Sequence, residues 1–173
     1  MDIKELTGLK EKIADAQKVL IGVGGEWKCG SDGDVPDKVR RAYQGLSVLL
    51  EGKDYYILTS QQNPAAESCG IPSDHLAAPA RDGEGKSWEA YQKWLSMTLN
   101  RSLMILELGE GFLNPALMRW PFEKVCFLNQ KACLVRVNEK FPQTAAELSG
   151  RSLAVKENSV DFILELCGME ENK

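Results

Sequence analysis

Histidine is nearly missing from this chain: His75 is the single copy among 173 residues. A mechanism that needs two histidines within one subunit is therefore excluded. Cysteine is present but unorganised. The five residues, Cys29, Cys69, Cys126, Cys133 and Cys167, are scattered and nowhere form C-x-x-C. That argues against a zinc ribbon or a disulfide framework and for reduced, buried thiols. A basic excess is lacking too. The formal net charge is −4, whereas nucleic-acid binding calls for a positive surface. No apolar run is long enough to span a bilayer. The amino-terminal MDIKELTGLKEKIADAQK is charged and amphipathic, without the apolar core of a signal peptide. The expectation is a cytoplasmic protein with neither a membrane nor a nucleic-acid partner. Repeats and low-complexity tracts are also wanting.

What is present is an ordinary globular balance, 43% hydrophobic and 27% charged, enough for a single domain over residues 1–173. The stretch around which the rest is arranged is Leu103–Asn114, LMILELGEGFLN. Its short apolar run fits a strand buried on both faces, and its glycines would let backbone N–H groups approach a ligand. Lys18–Ile21 running into Gly22-Val23-Gly24-Gly25 repeats the design. Two strand-then-glycine units point to an open α/β sheet, which binds ligands at strand carboxyl ends where the order reverses.

In chain order, apolar spacing predicts a helix over Ile3–Ala16 and a strand over Lys18–Val23. A loop follows over Trp27–Pro36, then a helix over Asp37–Glu51 that Asp34 could cap, with Pro36 near its start. Tyr55–Thr59 reads as a strand, Ser60–Asp74 as loop, His75–Pro79 as a short edge strand and Arg81–Lys86 as a turn. Ser87–Arg101 reads as a helix capped by Ser87, with Trp88, Tyr91, Leu95 and Thr98 on one face beside Trp94. After the Leu103–Leu108 strand, Pro115–Asn129 reads as a helix interrupted at Pro121. The remainder is a strand over Ala132–Asn138, a short helix over Pro142–Leu148, a strand over Ser152–Val155 and a helix over Ser159–Cys167. About six strands with helices between them make the pattern of a doubly wound sheet.

Four stretches in this order, GVGG at Gly22–Gly25, ILTSQQN at Ile57–Asn63, LELGEGFLNP at Leu106–Pro115 and LVRVNEK at Leu134–Lys140, resemble a reduced sirtuin-type NAD-binding domain. More narrowly, LELGEGFLNPALMRWPFEKV is similar to divergent bacterial sirtuin-like proteins carrying an E-L-G…P…R-x-P-F-E segment. The resemblance implies a Rossmann-like, doubly wound parallel six-stranded sheet in the order 3-2-1-4-5-6. That is the sirtuin, or DHS-like, NAD/FAD-binding type of α/β fold. It implies NAD or ADP-ribose as ligand. Gly22, Gly24, Gly25 and Glu26 would meet the pyrophosphate, and Thr59, Ser60 and Gln61 would border the nicotinamide-side ribose. Gly109, Glu110 and Gly111 would hold the adenosine side, and Asn138, followed by Glu139, would bond an adenosine ribose hydroxyl. A pyrophosphate suits backbone N–H donors at a helix start.

The chain departs from that family pattern at informative places. Glu26 replaces serine, Gln61 asparagine and Asn63 aspartate, while Glu110-Gly111 replaces Thr-Ser. Asp82-Gly83 stands where the catalytic His-Gly pair belongs, and the two Cys-x-x-Cys pairs of the zinc module are missing, so no zinc is expected. Glu26 and Glu110 would place negative charge near a pyrophosphate, at a cost unless they point away or meet a metal ion or hydroxyls. Protein deacylation is not expected. If the chain cleaves NAD, as a hydrolase or ADP-ribosyl transferase, Asp82 or Glu26 would be the base. The other reading is an interaction module that kept the fold and lost the ligand, with Trp27 or Glu110 filling the crevice.

Several residues have two readings. His75 at a strand head is read as packed or solvated rather than as a base. The aromatic face of Ser87–Arg101 is core, or else the contact of a homo-oligomer. Arg119 either pairs with Glu123 four residues on or meets a phosphate. Cys29, without a basic neighbour, is read as unreactive.

Overall fold

The first helix is fixed by its own amino terminus. Asp2 accepts from the Glu5 N–H at 2.8 Å while the Glu5 carboxylate accepts from the Asp2 N–H at 3.0 Å, a reciprocal cap. From there α1 (Ile3–Asp15) buries Leu6, Leu9 and Ile13. The computed structural model describes residues 1–170. Six strands, β1 (Lys18–Val23), β2 (Asp54–Thr59), β3 (Leu76–Ala77), β4 (Leu103–Leu108), β5 (Ala132–Val137) and β6 (Ser152–Val155), pair only in parallel. Their order is β3-β2-β1-β4-β5-β6, as the resemblance implied. The order reverses between β1 and β4, which lie side by side with Gly22 opposite Glu107 and Val23 opposite Leu108.

Alternation along the strands divides the interior into two layers. Val19, Ile21, Ile57, Leu106 and Val135 face α1, α2 (Asp37–Leu49) and α6 (Ser159–Leu166). Leu20, Tyr56, Leu58, Ile105 and Leu134 face α4 (Lys86–Ser96) and α5 (Arg119–Leu128). A fully buried side chain such as Leu46 or Phe162 contributes about 1.5–3 kcal/mol by leaving water. The aromatic face of α4 belongs to this interior. Tyr91 and Trp94 are buried, both pack against the Tyr56 ring, and Trp94 donates its indole N–H to Asp54 at 2.7 Å. His75 is packed as well, stacked on Tyr55 with Nδ1 2.8 Å from the Tyr55 carbonyl.

Several loop-side expectations change. Pro121 does not interrupt α5. It is the third residue of the helix, where a backbone N–H has no partner to lose. The amino cap of α2 is Pro36, not Asp34, whose backbone is engaged with Gly30 and Asp32 in the preceding loop. Gly85, not Ser87, precedes α4, and that helix ends at Ser96 instead of reaching Arg101. Residues 73–75 form a 3-10 turn ahead of β3, and α3 (Pro79–Asp82) adds one helical turn where a plain turn was expected to begin. Pro142–Leu148 is not a helix. Only Ala146–Leu148 makes a 3-10 turn, because the Gln143 carbonyl is taken by the Arg136 guanidinium at 2.7 Å.

Candidate functional site

A cleft of about 840 Å³ opens beyond the carboxyl ends of β1, β2, β4 and β5, where the strand order reverses. Its size falls in the range of small-molecule sites. The glycines around it serve two different ends. A Cβ on Gly22 would come within 2.5 Å of Met118 Sδ and 2.6 Å of Phe122, so this residue makes room for α5 and does not line the cleft. A Cβ on Gly24 would lie 2.4 Å from Glu110 Cα, so Gly24 lets the β1 and β4 turns touch. Gly109, at φ +74°, is wedged against Glu26 and Ser159. Gly25 and Gly111 have open space where a Cβ would stand, and both line the cleft. These two are the positions where a ligand can reach bare backbone.

Glu26 turns away from the cleft centre. A 3-10 turn over Gly25–Trp27 carries its carboxylate to the start of α6. There Oε2 accepts from the Ser159 N–H at 2.7 Å and the Ser159 hydroxyl at 2.5 Å. Oε1 accepts from the Glu139 N–H at 2.8 Å. A carboxylate beside a helix amino terminus is in a favourable field. Asn158 caps the next two N–H groups of α6, so that helix start is satisfied from within the chain. The neighbouring Trp27 is wholly buried in the core and does not fill the crevice.

Asn138 and Arg119 are likewise engaged. Asn138 donates to the Glu110 carbonyl at 2.6 Å and accepts from the Lys140 and Phe141 N–H groups, both at 2.9 Å. Arg119 donates to the carbonyls of Glu110 and Phe141, each at 3.1 Å, and lies over the Phe112 ring. Together they tie the loop after β4 to the loop after β5. The Arg119–Glu123 pair, one of the two readings of Arg119, does not form. Glu123 is bound at 2.6 Å by Arg136, which also holds Glu107 at 2.5 Å beneath the floor. Arg119 Nη1 reaches Glu107 at 3.9 Å. Burial pushes the Glu107 carboxyl upward against the pull of Arg136.

On the β2 side, Thr59 is fully buried and its hydroxyl accepts from the Gln61 N–H at 3.2 Å, so it supports the loop from below. Ser60, Gln61 and Glu110 line the cleft. Gln61 donates its amide to the Gly24 carbonyl at 3.3 Å, which leaves its buried Oε1 without a partner. Glu110 accepts from the Gly111 N–H at 3.1 Å through Oε1, while its buried Oε2 has none. Burial raises the Glu110 carboxyl; Ser60, the Gly111 N–H and Arg119 oppose that. Asp82 lies elsewhere. It is held by Arg81 at 2.7 Å outside the cleft, and that ion pair keeps its carboxyl low. Neither carboxylate put forward as a base is presented free to the cleft.

Sequence reasoning missed Lys28, Glu84 and Lys140 and the apolar wall of Leu113, Leu117 and Phe141, all of which line the cleft. Lys28 and Lys140 stand just beyond the glycine turn and the β5 end, a positional signal with no motif behind it. Glu84 comes from the β3–α4 connection, whose path no local pattern specifies. Among the described residues, no group of three or more histidine, cysteine, aspartate or glutamate side chains is placed to hold a metal. None of the helices among them is long and apolar enough to cross a membrane.

No protein-family model matches the chain, and no curated protein matches it. Solved structures do. Sir2Tm bound to a propionylated peptide aligns with a TM-score of 0.62 at 12% identity, over 98% of this chain and 100% of that one. A structure described under the mechanism and regulation of Sir2 enzymes aligns with a TM-score of 0.63 at 9% identity, over 96% and 97%. A Sir2 complex with the inhibitor EX-527, 2′-O-acetyl-ADP-ribose and a deacetylated peptide aligns with a TM-score of 0.59 at 12% identity, over 95% and 100%. Identities this low speak to architecture alone, and the architecture they share with this chain is the sirtuin-like α/β fold.

Proposed function

We propose that this domain binds NAD or an ADP-ribose-like nucleotide in the cleft at the β1/β4 reversal, and that it does not deacylate proteins. The observation that carries the reading is the open cleft itself. It lies at the ligand position of a doubly wound sheet and is edged by the bare backbone of Gly25 and Gly111. A sirtuin-like neighbour holding 2′-O-acetyl-ADP-ribose supports the ligand class. Deacylation is set aside because His75, the chain's single histidine, packs on Tyr55 and does not line the cleft.

The test is isothermal titration of the purified chain with NAD and with ADP-ribose, following nicotinamide release in the same samples. Binding without release is the expected outcome; release would make the protein an NAD-consuming enzyme. A second reading, an interaction module without ligand, is favoured by one set of facts. Glu26, Asn138 and Arg119 all bond inward. Absence of heat at millimolar nucleotide would leave that reading standing.

A further inference from the structure

Beneath the cleft floor, three carboxylates and two guanidinium groups meet. Arg136 of β5 binds Glu107 of β4 at 2.5 Å and Glu123 of α5 at 2.6 Å. Arg119 stands 3.9 Å from Glu107 while donating to the Glu110 and Phe141 carbonyls, and it keeps its charge in doing so. Two cations therefore balance two acids, Glu107 and Glu123. Glu110 is the acid left over. It is only 7% exposed, it enters none of these ion pairs, and its Oε2 has no hydrogen-bond partner. The groups that bear on its carboxyl are the Gly111 N–H, at 3.1 Å from Oε1, the Ser60 hydroxyl and the charge of Arg119. Other charges of the mouth do not compensate it. The Glu26 carboxylate is turned to the Ser159 and Glu139 N–H groups. The exposed Lys28 and Lys140 are matched in number by the exposed Glu84 and Glu139. A buried carboxylate without a counter-charge is costly, and taking up a proton removes that cost. Burial accordingly pushes the Glu110 carboxyl up, against Ser60, the Gly111 N–H and Arg119.

We propose that Glu110 is a proton-controlled gate on the cleft: the anionic nucleotide enters while Glu110 is held as the neutral acid and is repelled once Glu110 ionises. The coupling rests on the nucleotide reading above. Glu110 lines the cleft beside the bare Gly111, and its backbone packs on Gly24, so a charge on it would stand at the edge a diphosphate approaches. A neutral Glu110 is compatible with that neighbour, and an ionised one is not. Linkage fixes the direction. The ligand's negative charge raises the Glu110 carboxyl further, so binding takes up protons at any pH between the free and the bound value. Affinity is therefore full below the free value, and it falls as pH rises from there to the bound value. No ligand atom needs to touch the buried Oε2, since the effect is one of charge.

Two readouts test this on the full chain. First, ADP-ribose is titrated calorimetrically at fixed ionic strength from about pH 5 to about pH 9, a range in which its diphosphate stays ionised and Glu110 changes charge. Binding about tenfold tighter at the acid end is expected, with net proton uptake shown by buffers of different ionisation enthalpy. Both are expected to vanish in Glu110→Gln, which keeps the shape and the contact with the Gly111 N–H. His75, the chain's single histidine, is unchanged in that variant and packs on Tyr55, so any pH dependence it causes stays in both proteins. Second, melting temperatures of the two proteins are compared over the same range without ligand. A carboxyl raised on folding contributes stability that is full below its unfolded value and is lost as pH rises through the folded one. The wild type is therefore expected to fall behind Glu110→Gln as pH rises. Binding with the same pH profile in both proteins overturns the gate. Failure of ADP-ribose to bind at every pH in both proteins sinks the nucleotide reading instead, and the gate with it. The melting curves then decide the proton alone, and a gap between the two proteins that is constant with pH overturns it.

Discussion

Along the β5–β6 side of the cleft the side chains of Glu26, Asn138 and Arg119 are bonded to their own chain, whereas along the β2–β4 side two buried oxygens, Gln61 Oε1 and Glu110 Oε2, have no hydrogen-bond partner. The first side is closed by a lattice of bonds reaching from α6 to α5. The second is held by backbone contacts between the β1 and β4 turns, and its two unpartnered oxygens are buried beneath the cleft surface. Residues sharing one mouth therefore divide into those whose side chains bond across it and those that leave an oxygen unpartnered. Removing one of the first kind should cost stability, while removing one of the second should cost binding.

The largest effect is expected beneath the stapled side. Arg136→Met strands Glu107, which is 1% exposed, and should lower unfolding free energy by about 3–5 kcal/mol in urea denaturation. The β2-side counterpart, Gln61→Ala, removes an unpaired oxygen and a long 3.3 Å bond. It should change stability by less than about 0.5 kcal/mol while weakening nucleotide binding. A Gln61→Ala variant as unstable as Arg136→Met would break the comparison.

Glycines sharpen it next. Gly22→Ala drives a Cβ into Met118 and Phe122 and should cost about 1–3 kcal/mol by thermal melting. At Gly25, where nothing lies within 4 Å, alanine should leave the melting temperature nearly unchanged and weaken ADP-ribose binding instead. Glu26→Gln then removes one charge-assisted set of bonds at α6 and should cost about 1.5–3 kcal/mol. Nucleotide affinity should hold, since the Glu26 carboxylate bonds at the α6 start and away from the cleft centre. A fall in affinity would place Glu26 among the ligand-binding residues.

The smallest effect comes from a pair remote from the mouth. Burial pushes the Asp54 carboxyl up, but the hydrogen bonds from Lys18 and Trp94 outweigh it, and the net shift is downward. A carboxyl held below its unfolded value lends stability above the ordinary carboxylate range and loses it as pH falls through the folded value. Asp54→Asn should therefore be slightly less stable than wild type at neutral pH, with the gap closing under acid conditions, as followed by melting temperature. Cleft affinity should be untouched.

The sheet was readable because KVLIGV and LMILEL are short apolar runs ended by glycine, and burial on both faces leaves little else for such runs to be. The β1 and β4 bounds agree with the expectation to the residue. Loops were less readable because long-range partners decide them. Nothing near Gln143 announces that Arg136 will take its carbonyl and keep the segment from coiling. The sense of Pro121 turned on where α5 begins, and the first-turn position that makes it harmless is set by packing of Met118 and Phe122 on Gly22. At the mouth, the glycine turns could be placed from sequence, but the aim of each side chain could not. Glu26 reads as a charge facing the ligand until Ser159, far along the chain, supplies the donors that draw it away. Gly22 reads as a phosphate contact until the α5 side chains stand against it.

The nucleotide proposed for this mouth would reach it at the bare backbone of Gly25 and Gly111. The decisive experiment is isothermal titration of the full chain with ADP-ribose, alongside Gln61→Ala and Gly25→Ala proteins of unchanged melting temperature. Saturable binding by the wild type that weakens in both variants is expected. No heat and no ligand-induced rise in melting temperature at millimolar ADP-ribose would contradict it.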